Sequence, residues 1–382
     1  MPLKIAARGS VPPFIVMDVM RAANERQARG EDVLHLEVGQ PSTPAPAAVL
    51  EAARSALASD RLGYTEALGI PELRQAIARH YRDAYGVGVD AERVVVTTGS
   101  SGAFLLAFLA AFEAGDRVAV CSPGYPAYRN ILSALGIGVV QVPVDAATNF
   151  QPTPGVLAKA RQPFDGLILA SPSNPAGTMV DRDQLRGLAD FCADRGVRLI
   201  SDEIYHGITY EMKAETALAF SDEAVVVNSF SKYFSMTGWR LGWMVVPASL
   251  LRSVECLAQN LFISPPTLSQ IAGVAAFGCH DELRANVRRY AENRALLLTE
   301  LPKAGFDRIA SADGAFYLYA DVSQLTNDSL EFCRRMLAET GVAVAPGADF
   351  DPERGARFVR FSFAGAPADM AEAAWRLRQW VR

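Results

Sequence analysis

Between residues 94 and 246, seven apolar runs of strand length (94–97, 117–121, 138–142, 166–170, 197–201, 224–228 and 241–246) alternate with segments of helix length. This alternation predicts an α/β domain: a large, mostly parallel seven-stranded sheet flanked by helices. At 382 residues, 50% hydrophobic and 21% charged, the chain is long enough to bury such a core and to build a second, smaller domain beside it.

Five of the runs end in polar clusters. These are Thr98-Gly99-Ser100-Ser101-Gly102, Ser122-Pro123-Gly124-Tyr125-Pro126, Ser171-Pro172-Ser173-Asn174-Pro175, Ser201-Asp202-Glu203-Ile204-Tyr205 and the stretch from Ser229 to Arg240. Ligands of open α/β sheets bind outside the carboxyl ends of the strands, so the clusters are expected to converge on one pocket. Of five lysines, only Lys232 sits among hydroxyls and aromatics. Partial desolvation there, with Arg240 nearby, would lower its pKa and make it a nucleophile toward a carbonyl; the plain alternative is a surface lysine on a loop.

The other clusters suggest complementary roles. Gly99-Ser100-Ser101-Gly102 opens an apolar helix whose free N–H groups and positive dipole end suit an anion, or it is an ordinary N-cap. Ser229, Ser231 and Arg240 would complete a phosphate cage. Tyr125 is placed to stack on a planar ring or to sit in the core. Asp202, an acid at the end of a buried strand, needs a cationic partner such as a protonated ring nitrogen. Tyr205 and Asn174 would bond a ring oxygen, or serve as turn and capping residues. Gly39 brings backbone close to a ligand or is a plain turn glycine.

A net charge of −5 offers no basic field for nucleic acid or an anionic membrane. No apolar stretch reaches the length of a membrane span and the start has no signal-peptide core, which predicts a cytoplasmic protein. Five scattered cysteines and four separated histidines predict reduced thiols and no metal site.

Toward the chain ends, 14–29 reads as a helix and 33–36 as a strand, followed by a Pro/Gly-rich linker at 39–46; Tyr64 falls in a loop, and Pro71 starts a helix. After Pro265-Pro266, a charged helix at 281–300 precedes strands at 316–322, 342–345 and 357–363 and helices at 329–340 and 367–381. The linker at 39–46 predicts a division into 1–45, an N-terminal arm, 46–282, the large domain, and 283–382, an α+β small domain.

These residues together resemble the pyridoxal-phosphate aminotransferases of class I/II, the aspartate-aminotransferase-like enzymes of fold type I. S-F-S-K-x-x-x-x-x-G-x-R at 229–240 resembles their cofactor-lysine signature, and S-N-P-A-G-T at 173–178 resembles their asparagine-proline segment. The resemblance implies pyridoxal 5'-phosphate held by Lys232, with Asp202 on its ring nitrogen and Tyr205 on its ring oxygen; these three are the expected catalytic residues. It implies that Arg360 holds the substrate α-carboxylate beside Asn174 and Gly39. That 46–282 binds the cofactor, and that 1–45 joins the small domain so that both chain ends build it, is likewise implied by the resemblance. It also implies that Tyr64, before Gly-Ile-Pro-Glu-Leu-Arg, reaches the phosphate of a neighbouring subunit in a homodimer with shared active sites. The expected reaction is ping-pong transfer of an amino group between an L-amino acid and a 2-oxo acid. Where some aspartate-using relatives carry a lysine this chain has Ser101, and Phe14, Tyr125 and Phe316-Tyr317 offer aromatic walls, which points to a neutral donor side chain. A C–S β-lyase on the same cofactor, and the ligand-sensing domain of a transcription regulator, are the alternatives; only about 40 residues precede the large domain, and they hold no basic helix-turn-helix.

Overall fold

The structure, a computed structural model, describes residues 3–59 and 61–380. The final residue of the expected helix 367–381 lies outside them; within them that helix spans Pro367–Trp380. The N-terminal helix Ile15–Ala28 leads to β1 (Leu34–Leu36), and seven strands follow: β2 (Val94–Thr97), β3 (Arg117–Ser122), β4 (Gly138–Pro143), β5 (Gly166–Ala170), β6 (Arg198–Asp202), β7 (Val225–Ser229) and β8 (Gly242–Val245). They form one sheet in the order β2-β8-β7-β6-β5-β3-β4. Each expected strand is present within a residue or two, because continuous β-branched and leucine runs are what a sheet covered on both faces requires.

The two faces are packed separately. Leu167, Leu169, Leu199 and Val226 meet Leu73, Ile77, Leu185 and Leu188 on one side, from the helices Pro71–Tyr85 and Arg182–Arg195. Ile168, Ile200, Val225 and Val227 meet Phe104, Phe108 and Tyr128 on the other, from Gly99–Ala111 and Pro126–Ala134. β8 is the exception to the parallel pattern, being antiparallel to both β2 and β7. Residues 230–241 hold a single 3-10 turn, Thr237–Trp239, which is too short for a crossover, so the chain must return antiparallel.

A second sheet is built by β9 (Arg308–Ile309), β10 (Tyr317–Asp321), β11 (Val342–Pro346) and β12 (Phe358–Ser362). Its order is β1-β11-β12-β10-β9. β1 pairs in parallel with β11, Leu34 opposite Val342, so both ends of the chain contribute to it. β9 is two residues long and left no periodic trace in the sequence.

Candidate active site

The registers Leu167↔Leu199 and Ala170↔Asp202 between β5 and β6, and Asp202↔Val227 between β6 and β7, bring the strand ends level. The loops beyond them surround a cavity of about 200 Å³ between the two sheets. Gly39, Ser100, Ser101, Tyr125, Asn174, Asp202, Tyr205, Ser231, Lys232, Arg240 and Arg360 all line it. Two expected site residues do not. Ser229 is 1% exposed and lies one bond behind, its hydroxyl 2.9 Å from that of Ser231 and accepting from the Ser231 N–H; it shapes the turn that presents Ser231. Tyr64 is 84% exposed and away from the cavity.

Lys232 follows β7 directly, and its Nζ donates to the Gly39 carbonyl at 2.6 Å. Burial, reinforced by the Arg360 and Arg240 charges, pulls the amine down to about 8 against an ordinary 10.5, with Asp202 acting the other way. With this pKa about a tenth of the amine is neutral at pH 7, far more than for an ordinary lysine, which makes it a competent base and nucleophile. Asp202 ends β6 with both oxygens occupied: Oδ2 accepts from the Tyr128 hydroxyl and Oδ1 from the Ile204 N–H at 3.0 Å. Burial pushes its carboxyl up to about 6, while those two bonds and Lys232 oppose the shift.

The start of the helix Gly99–Ala111 has the geometry of an anion site. Its N-cap, Thr98, makes no side-chain cap bond, so the first N–H groups remain available. Gly99 has φ +73°, and a Cβ there would lie 2.5 Å from the Arg240 guanidinium. Glycine is therefore needed both for the left-handed turn and for the close approach of the arginine.

Arg360, in β12, is 2% exposed and held by neutral acceptors only. Its Nη1 donates to Asn174 Oδ1 at 2.8 Å and its Nη2 to the Glu37 carbonyl, and its Nε has no partner. The rings of Tyr317 and Phe350 flank the guanidinium at 4.3 and 4.7 Å. Among the described residues no carboxylate pairs with it, and a buried cation in that condition favours an anionic ligand. Three participants were not foreseen in these roles. Tyr128 sits on the helix Pro126–Ala134, three residues beyond its N-cap Tyr125 and with its ring 5.3 Å from that one; Tyr317, whose hydroxyl is 2.7 Å from that of Tyr205, was expected only as wall; Glu37 acts through its backbone. Phe316, expected as a wall, is not among the lining residues; it is buried behind Tyr205, edge-on with ring centroids 5.5 Å apart.

Residues 31–377 match the family described as aminotransferase class I and II. The chain belongs to this family. It is 55% identical over 382 residues to the valine–pyruvate aminotransferase of Mycobacterium tuberculosis, covering 99% of this chain and 98% of that one. It superposes on a crystal structure of an aminotransferase from Mycobacterium tuberculosis with a TM-score of 0.98 at 55% identity, covering 100% of this chain and 99% of that one. With the aspartate aminotransferase from Thermus thermophilus with maleate the TM-score is 0.93 at 32% identity, over 99% and 100% of the two chains. The protein is an aspartate-aminotransferase-like transaminase, from a family that uses pyridoxal phosphate. The aminotransferase's own residues fit that group: an uncapped helix start facing Arg240, a buried carboxylate with no bonded cation, and an amine of lowered pKa line one cavity. Among the described residues, no helix is long and apolar enough to cross a membrane, and no cluster of metal-ligating side chains is present.

Proposed function

We propose that this aminotransferase binds pyridoxal 5'-phosphate and moves the amino group of a neutral, aliphatic L-amino acid to a 2-oxo acid by a ping-pong mechanism. The buried Arg360, with no paired carboxylate among the described residues, carries the reading, since its two anchored nitrogens fix a cation in the cavity wall where an α-carboxylate can bind. The Gly99–Ser101 helix start and Arg240 would hold the phosphate, Asp202 the ring nitrogen and Tyr205 the ring oxygen. Bound there, the cofactor supplies a carbonyl for the amine of Lys232 or substrate and a ring that stabilises negative charge at the substrate α-carbon. Lys232 then takes and returns the α-proton, a task suited to an amine near pKa 8. One cavity serving both half-reactions requires the first product to leave before the second substrate enters.

The neutral donor is supported by the charge inventory. Among the described residues lining the cavity, Lys232, Arg240 and Arg360 are the only cations, and each already has a role. Part of the wall is apolar, made by Phe14, Val16, Met17 and Val38, and a carboxylate against it would be stranded at a cost of several kcal/mol. The relative named for valine and pyruvate fits the same inference. Initial rates with valine, leucine, alanine and aspartate against pyruvate and 2-oxoglutarate test it. Valine should exceed aspartate at least about 10-fold in kcat/KM, with parallel double-reciprocal lines; a tenfold preference for aspartate, or intersecting lines, defeats the proposal.

The same reading includes the residue 1–45, 46–282 and 283–382 division and a homodimer in which Tyr64 serves the partner's phosphate site. Tyr64, Leu261 and Ile263 are all exposed on segments tied together by Thr267 Oγ1 to the Gly63 carbonyl at 2.6 Å and the Thr65 N–H to Ser264 Oγ at 3.4 Å. An apolar patch of that kind suits an interface. Light scattering should give twice the 41.1 kDa chain mass, and Tyr64→Ala should weaken cofactor retention. A monomer with full activity rules this out.

A further inference from the structure

The helix Ile15–Ala28 begins without a local cap, because its N-cap residue is Phe14, which has no hydrogen-bonding side chain. Its first donors are satisfied from the far end of the chain. Asp349 Oδ1 accepts from the Ile15 N–H at 3.2 Å and Oδ2 from the Val16 N–H at 3.1 Å, across 334 and 333 residues of sequence. Asp349 is 1% exposed, and its carbonyl accepts from Arg129 Nη2, so its position is fixed by the turn after β11 and by the helix Pro126–Ala134. A carboxylate at a helix start complements both the free N–H groups and the positive dipole end.

That helix start is also one wall of the active site. Phe14, Val16 and Met17 line the cavity, and Phe14 stands edge-on to Tyr125 with ring centroids 5.7 Å apart. The residue after Asp349 is Phe350, which lies against the Arg360 guanidinium. One short turn therefore touches both the cation that would grip the α-carboxylate and the helix start that lines the same cavity. The distance between that cation and that wall is what measures a donor side chain.

We infer that Asp349 is a positioning residue for donor selectivity: by clamping the start of the helix Ile15–Ala28 it holds Phe14, Val16 and Met17 at a depth that favours a branched aliphatic side chain over a methyl group. This rests on the neutral-donor reading above. With the clamp removed, the first helical turn frays, the wall recedes, and contacts with the outer methyls of valine weaken, whereas alanine never reached them.

The test is the ratio of kcat/KM for valine to that for alanine, measured on the cofactor-loaded enzyme with 2-oxobutyrate, a neutral acceptor whose amination gives neither donor. The fraction of folded, active protein cancels in this ratio, so a merely structural role does not move it. Asp349→Ala should lower the ratio by about 10-fold, chiefly through the KM for valine, the scale on which apolar pockets discriminate methyl groups. Asp349→Asn keeps one acceptor oxygen for the two N–H groups and should fall between, at about 3-fold; it carries the test alone if Asp349→Ala does not accumulate. An unchanged ratio in either folded variant, with wild-type valine activity intact, overturns the inference. Absence of wild-type valine activity overturns instead the donor reading on which it rests.

Discussion

Lys232→Ala is expected to lower kcat by about 10⁴-fold or more, because it removes both the amine that would join the cofactor and the group that would move the α-proton. Among the described residues, no other lysine lines the cavity. Cofactor should still be retained through the Gly99–Ser101 helix start and Arg240, without the near-visible absorbance of a lysine-linked form. The pH dependence has a definite sign. The neutral amine is the reactive form, and with its pKa near 8 rather than 10.5 labelling of Lys232 in the cofactor-free protein by an amine reagent should rise with pH through a midpoint near 8 and then level off. A variant that keeps the absorbance, or a labelling midpoint near 10, would place the nucleophile elsewhere.

Asp202→Asn should cost about 10²- to 10³-fold in kcat/KM, the scale for removing one preorganised electrostatic group from an active site. The substituted amide can still accept from Tyr128 or from the Ile204 N–H, so the loss would report charge rather than folding. Tyr128→Phe tests the same carboxylate from behind. A donor to a carboxylate favours its charged form, so deleting the Tyr128 hydroxyl raises the Asp202 pKa from about 6 and moves the acid limb of kcat/KM to higher pH. An acid limb that stays in place in Tyr128→Phe would mean that Asp202 does not set it.

Much of the candidate site was legible because its residues follow strands directly. Lys232, Asp202, Asn174 and Ser100 each lie a few positions beyond a continuous apolar run, and position relative to such a run is a property of contiguous residues. Ser229 shares that placement and still turns away from the cavity: its hydroxyl bonds Ser231 and the Leu241 carbonyl, and the direction of a side chain at a strand end depends on what the neighbouring strand presents. Phe316 and Tyr317 are adjacent in sequence, yet Tyr317, the first residue of β10, lines the cavity under Arg360, while Phe316, just before the strand, packs against Tyr205 and Tyr290.

The sequence by itself determined the seven strands and the row of polar loops beyond their ends, because hydrophobic period, glycine and proline act over a few residues; the expected alternation with helices fails between β6 and β7 and between β7 and β8, which are joined without an α-helix. Only the tertiary structure decided the reversed β8, the neutral cradle of Arg360, the Tyr128 bond to Asp202 and the Asp349 clamp on a helix more than 300 residues away. Those depend on which distant groups exclude water from one another. The pKa of Lys232 and of Asp202 moves chiefly through burial, and burial is a property of the assembled chain rather than of any stretch of it.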